Sequence, residues 1–136
     1  MRVTLVTGAN AAARETAIAA ALRAAAAASL PSDAIALILE GLPSGLSQHA
    51  AVLDPQHNPV LSQTARIAPG CLCCIGNLTL KVTLNRILRH RPQPPQYLYI
   101  GLANATHIDQ LRAFLSQPPY DRLLKLSADV NADQHV

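Results

Sequence analysis

The first 28 residues limit the possible fold more than any other part of the chain. Residues 2–7 are almost all aliphatic or β-branched and are followed by Gly8, a pattern typical of a strand buried on both faces of a parallel sheet. Residues 12–28 are mostly alanine, the residue with the strongest intrinsic preference for helix. A buried strand, a glycine turn and a helix in this order predict the opening unit of an α/β domain.

Strands and helices continue to alternate along the rest of the chain. Apolar runs at residues 34–39, 65–68, 97–100 and 123–126 predict strands, and residues 78–90 and 107–116 predict helices. Residues 42–60 contain several prolines and glycines and predict a long irregular segment. We therefore expect one three-layer α/β domain at residues 1–127, with a mostly parallel sheet and helices on both faces. Residues 128–136 are polar and are expected to form a frayed tail.

Composition argues against several classes of function. Half of the 136 residues are hydrophobic and only 14% are charged, so the chain can bury a core and does not have the composition of a disordered protein. Its one basic cluster, Arg86, Arg89, His90 and Arg91, lies at the end of a predicted helix and has no interleaved aromatics. We therefore expect no nucleic-acid partner. No apolar run is long enough to cross a bilayer and no signal peptide is recognisable, so we expect no membrane partner and a cytoplasmic location.

The turn after the first predicted strand has the layout of a phosphate-binding loop in which several positions are changed. A working loop needs glycines whose backbone N–H groups surround the phosphate, a Lys for the β- and γ-phosphates, and a Ser or Thr for Mg²⁺. Gly8 occupies the first glycine position. Ala13, Arg14 and Glu15 stand where the second glycine, the Lys and the Ser or Thr belong, and Thr16 follows one position late.

Each of these changes weakens phosphate binding for a physical reason. Alanine adds a methyl group and disfavours positive φ, and Arg14 keeps the charge on a longer, forked side chain. Glu15 brings a negative charge to the positive end of the helix, where it can stand in for the anion. Two interpretations stay open: a strand–turn–helix without a ligand, and an altered nucleotide site built from Gly8, Arg14 and Thr16. We expect no catalytic residues here.

All three cysteines of the chain lie within four residues, at Cys71, Cys73 and Cys74. The predicted helix that follows points its positive end at this loop, which lowers thiol pKa values and favours thiolates. Thiolates are preferred ligands of soft and borderline metals such as Cu(I) and Zn²⁺, and a structural zinc site usually has four ligands. An alternative interpretation is three buried cysteines that act as small hydrophobic residues.

A fourth ligand for such a metal is not fixed by the spacing of residues. The candidates within the chain are Glu40, His49 and His57, and water or a partner protein can also fill the position. The sequence does not choose among these residues, and Glu40 is the one that the metal-binding hypothesis takes as the fourth ligand. An odd number of clustered cysteines is a poor disulfide framework, which agrees with a reducing compartment.

Four segments occur in an order that belongs to a known family. They are Val6-Thr7-Gly8, the apolar run that ends at Glu40, Gly70-Cys71-Leu72-Cys73-Cys74, and Gly101-Leu102-Ala103-Asn104. In this order they resemble the N-terminal domain of the CobW family of metal-handling GTPases, which are relatives of HypB and UreG. The resemblance implies a P-loop α/β fold, GTP with Mg²⁺, and zinc or another transition metal at the three cysteines.

The chain departs from the family mainly in the parts that bind nucleotide. Leu98 stands where the family has an acidic residue, Tyr99 and Ile100 replace small polar residues, and Asn104 replaces an aspartate. The guanine-reading motif Asn-Lys-x-Asp is absent from the sequence. These losses leave the cysteine motif intact.

Three functional hypotheses follow from this pattern. The first is a metal-binding protein, impaired in GTP hydrolysis, that passes metal to an acceptor protein or stores it. The second is an active variant GTPase metallochaperone in which Arg14 replaces Lys and Thr16 binds Mg²⁺. The third is a non-catalytic regulatory partner that lends an exposed sheet edge to another chain.

Overall fold

The computed structural model describes residues 1–8, 10–41, 51–67, 78–91, 93–103 and 108–132. The strands within these ranges are β1 (Arg2–Thr7), β2 (Ile35–Glu40), β3 (Leu61–Ile67), β4 (Tyr97–Leu102), β5 (Lys125–Leu126) and β6 (Val130–Asn131). The helices are α1 (Ala11–Ala27), α2 (Leu78–Leu88), α3 (Ile108–Leu115) and α4 (Tyr120–Leu123).

The strands form one sheet in the order β3-β2-β4-β1-β5, with β6 also paired to β1. Every pairing between these strands is parallel. Parallel neighbours need a crossover connection, which helices supply in most α/β proteins. The expectation of an α/β domain with a parallel sheet and helices on both faces is confirmed.

Two hydrophobic clusters cover the two faces of the sheet. On one face, Ile18 and Leu22 of α1 pack with Leu37 of β2 and with Leu53 from the turns at residues 51–60. On the other face, α2 and α3 contribute Leu80, Leu84, Ile87, Leu111 and Leu115. All six residues of β2 are buried because the strand lies between β3 and β4 and is covered on both sides.

Several element boundaries differ from the sequence expectations. β3 begins at Leu61, four residues before the strand predicted at residues 65–68. The sequence did not indicate its first half because that half is mostly polar and lacks the apolar pattern of a buried strand. The strand expected at residues 123–126 is reduced to Lys125–Leu126, since Tyr120–Leu123 forms a helical turn in which the Leu124 N–H donates to the Tyr120 carbonyl.

The predicted tail at residues 128–136 contributes a strand. Val130 pairs with Val6 and Asn131 with Thr7, so these two residues are part of the sheet and do not form a frayed end. Among the residues that the structure describes, no helix is both long and apolar enough to cross a membrane.

The packing on β4 gives a prediction about stability. Leu98 is fully buried at the centre of the sheet, whereas Leu78 at the start of α2 is 69% exposed. Leu98→Ala should lower the free energy of unfolding by about 2–5 kcal/mol because it leaves a cavity, and Leu78→Ala should change it by less than about 0.5 kcal/mol. Urea denaturation followed by circular dichroism measures both. Equal midpoints for the two variants would contradict this packing.

Candidate functional site

The carboxyl ends of β1 and β4 lie at the switch point of the sheet, where open α/β folds have a crevice. These strands are neighbours in the sheet. The helix that follows β1 packs on one face, and α3, which follows β4, packs on the other. Ligands of open α/β sheets bind where successive connections diverge in this way. The predicted phosphate loop therefore lies at the place where the fold itself favours a ligand.

Arg14 spans this crevice from the first turns of α1. Its side chain is 4% exposed. One guanidinium nitrogen donates to the Gly8 carbonyl at 2.8 Å and the other to the Glu40 carbonyl at 3.2 Å. The forked geometry of arginine permits two such bonds to oxygens on different strands. Arg14 thus joins the end of β1 to the end of β2 from the position where the phosphate-loop pattern has its Lys.

The chain after β2 turns sharply beside this guanidinium. Gly41 has φ of +101°, a conformation that favours glycine, and its N–H donates to the Ile67 carbonyl of β3. A Cβ added at Gly41 would lie 3.6 Å from an Arg14 guanidinium nitrogen. That distance is an ordinary van der Waals contact, so the positive φ of the turn, and not the nearness of Arg14, is what favours glycine here.

Asn10 satisfies a backbone N–H group at the start of α1. It is the N-cap of the helix, and its Oδ1 accepts a bond from the Ala13 N–H at 2.8 Å. In a phosphate loop the N–H groups of this turn bind the anion. Here the Asn10 side chain accepts from one of these N–H groups, at a place where a phosphate oxygen would accept in a phosphate loop. This is the ordinary stabilising role of an N-cap asparagine.

Glu15 does not act as the substitute anion that its position suggests. The residue is only 5% exposed, and its carboxylate forms a salt bridge of 3.1 Å with the guanidinium of Arg66 on β3. The pair ties α1 to the edge strand of the sheet. The expectation that Glu15 would serve the positive end of the helix is replaced by a long-range ion pair.

Thr16, the residue expected to bind Mg²⁺ in the variant-GTPase hypothesis, bonds within its own helix. Its hydroxyl donates to the Ala12 carbonyl at 2.8 Å, a common arrangement for threonine inside a helix. Gly8 supplies a carbonyl to Arg14. Of the three predicted phosphate-binding residues, Gly8 and Arg14 are therefore in contact with each other, whereas the Thr16 hydroxyl donates to its own helix.

Glu40 lies at the same end of the sheet. It is 5% exposed, and its Oε1 accepts a bond of 2.7 Å from the Ala103 N–H, just after β4. Glu40 thus contributes its carbonyl to Arg14 and its carboxylate to the end of β4. A carboxylate oxygen bonded to one N–H retains further acceptor capacity, so this contact is compatible with a role as ligand.

The cysteines and His49 lie outside the described residues. Cys71, Cys73 and Cys74 belong to the range 68–77, and His49 to the range 42–50. Within the part of the chain that the structure describes, no three metal-binding side chains form a cluster. The proposed ligand set therefore stays a prediction, and only Glu40 and His57 have described positions.

His57 lies in the turns between β2 and β3. Its Nδ1 is 3.0 Å from Asp54 Oδ2. The pKa of Asp54 is lowered, first by the bond that its carboxylate accepts from the Gln56 N–H and then by His57. This local turn accounts for the position of His57 without a metal.

β4 contains no carboxylate where the family has its acidic residue. Leu98 and Ile100 are fully buried in the cluster formed with α2 and α3. Tyr99 packs on the face covered by α1, and burial raises the pKa of its phenol above the ordinary value, with a smaller contribution from Tyr97. The side chains at these three positions therefore pack in the hydrophobic core.

The chain matches no family model, no curated protein and no solved structure. The assignment of the site thus depends on the geometry described above and on the cysteine motif.

Sequence reasoning missed three participants in the site: Asn10, Arg66 and the Ala103 N–H. Asn10 directly precedes the alanine run, and the known N-cap preference for asparagine was a signal that could have found it. Arg66 and Ala103 are far along the chain from their partners. Nothing local in the sequence indicates these contacts.

The Arg14 contacts lead to a stability prediction. Arg14→Met removes both donors and leaves the carbonyls of Gly8 and Glu40 without them, so the free energy of unfolding should fall by about 2–4 kcal/mol. Arg14→Lys should lose about half of this, because one ammonium replaces a two-pronged donor. Denaturant titration measures both. Arg122→Met, at an exposed position, is the matched control, and equal stability of the two Met variants would exclude the role of Arg14 described here.

Proposed function

We propose that this protein is a CobW-like metal-binding protein that holds zinc or a related transition metal ion through Cys71, Cys73 and Cys74 and is impaired in GTP hydrolysis. The three thiols supply the donor chemistry that such ions prefer. Glu40 is the proposed fourth ligand within the chain. Its buried carboxylate at the end of β2 is an oxygen donor of the kind that zinc also accepts.

The observation that carries the second half of this proposal is the internal use of the phosphate-loop groups. The guanidinium of Arg14 bonds to two strand-end carbonyls, and the Ala13 N–H bonds to Asn10. A triphosphate would have to displace these contacts. It would also meet a methyl group at Ala13 where the pattern has glycine. The described residues therefore do not fit GTP and Mg²⁺ as the family's loop does, and we assign them no step of hydrolysis.

Metal binding itself tests the first half of the proposal. Protein purified without chelator should bind about one zinc ion per chain in competition with a chromogenic chelator. Cys73→Ser should weaken that binding by about 100-fold or more, because it removes a residue that bonds the metal directly, and even the loss of a residue that only orients a ligand costs about 10–100-fold. Since a cysteine thiol must lose its proton to bind the metal, the affinity for zinc should also fall as the pH is lowered.

Matched variants separate ligand loss from general damage. Leu72→Ala lies in the same loop, removes no sulfur and should bind zinc like the wild type. Glu40→Gln keeps an acceptor for the Ala103 N–H but removes the charge, and should weaken zinc binding by about tenfold, whereas Asp109→Asn at an exposed position should not. Equal zinc affinity in the wild type and Cys73→Ser would refute the metal site.

Nucleotide binding tests the second half. A ligand at a hundred times its dissociation constant stabilises a protein by about 2.7 kcal/mol. We expect no change in thermal midpoint with millimolar GTP and Mg²⁺, because the groups that would hold the phosphates are engaged within the chain. An intact P-loop GTPase measured in parallel is the positive control. A clear upward shift that Arg14→Met abolishes would instead support the variant GTPase.

A further inference from the structure

β3 forms one edge of the sheet, and its outer side has no partner among the described residues. Within the described ranges the strand pairs with β2 alone. The Ile67 carbonyl accepts from Gly41 and so points toward β2. Because backbone groups alternate in direction along a strand, the N–H and C=O groups of Thr64 and Arg66 point outward. Unpaired groups of this kind are a template for strand addition.

The side chains of β3 are mostly polar. Ser62 Oγ and Gln63 Nε2 have no hydrogen-bond partner among the described residues, but both atoms are buried within the chain and do not face a neighbour. The charge of Arg66 is already balanced by Glu15 on α1. The groups that this edge offers to a partner are therefore the outward backbone N–H and C=O groups.

We propose that β3 pairs with β3 of a second copy of this chain, so that two sheets join into one across a two-fold axis. A two-fold axis makes identical edge strands antiparallel. Placing it at Ala65 brings Thr64 opposite Arg66 of the other copy, where the outward groups exchange four N–H···O bonds. Ala65 then lies opposite itself in a non-bonded pair, and Gln63 lies opposite Ile67.

This register suits two identical strands in size and brings no like charges directly opposite each other. The smallest side chain of β3 lies on the axis, where the two backbones are closest, at about 4.5 Å between Cα atoms. The only charged residue of the strand, Arg66, is opposite Thr64, and the two Arg66 side chains are diagonal neighbours that are each already paired with Glu15 of their own chain. A second copy therefore meets the requirements of this edge without any change of sequence.

The proposal is tested by removing one outward N–H. Thr64→Pro deletes two of the four bonds across the axis and no bond to β2. It also deletes the hydroxyl bond to the Leu53 carbonyl. Thr64→Val deletes that hydroxyl bond alone and is the matched control. In sedimentation equilibrium, the wild type and Thr64→Val should form dimers, and Thr64→Pro should dissociate at least tenfold more readily.

Substitutions on the axis give a second test that does not depend on the proline variant folding. Ala65→Lys and Ala65→Glu each place like charges opposite each other and should weaken self-association severalfold, whereas an equimolar mixture should form a heterodimer. A wild type that stays monomeric at millimolar concentration would overturn the proposal, as would dimers unaffected by Thr64→Pro. Zinc binding per chain is a separate measurement, so failure here leaves the metal proposal untouched.

Discussion

The carboxyl end of the sheet depends on one buried cation. Arg14 donates to carbonyls at the ends of β1 and β2, which are not neighbours in the sheet because β4 lies between them. Glu40 then reaches from β2 to the N–H of Ala103 just beyond β4. The two residues together connect the ends of three adjacent strands. Backbone groups that a ligand would otherwise satisfy in such a crevice are satisfied by the chain itself.

The burial of Arg14 is tolerated because its guanidinium N–H groups have acceptors. A buried charge is costly unless it is paired or hydrogen-bonded, and the guanidinium donates to the carbonyls of Gly8 and Glu40 at 2.8 and 3.2 Å. Glu15, the next residue, faces another direction on the helix and forms its ion pair with Arg66 at 3.1 Å. Consecutive charged residues on α1 thus serve two separate contacts, one in the crevice and one at the sheet edge.

The sequence predicted the alternation of strands and helices because apolar runs and alanine preference are local signals. It correctly placed Gly8 and Glu40 at strand ends and Arg14 early in the first helix, and parallel strands bring such ends to one edge of the sheet. It did not predict the partners of these residues, because strand order decides which ends are adjacent. Similarly, the polar half of β3 has no apolar pattern, and the pairing of Val130 with Val6 joins residues far apart in the chain.

The same contacts show how an arginine at position 14 differs from the lysine that a phosphate-binding loop has at this place. A lysine ammonium is a compact charge on a flexible stem and can turn toward a phosphate, whereas the guanidinium fork is held by two carbonyls at once. A nucleotide would have to free the guanidinium, leave those carbonyls to find other donors, and displace Asn10 from the Ala13 N–H. Each displacement subtracts from the free energy of binding. The contacts that Arg14 makes within the chain would therefore oppose the binding of a nucleotide at this end of the sheet.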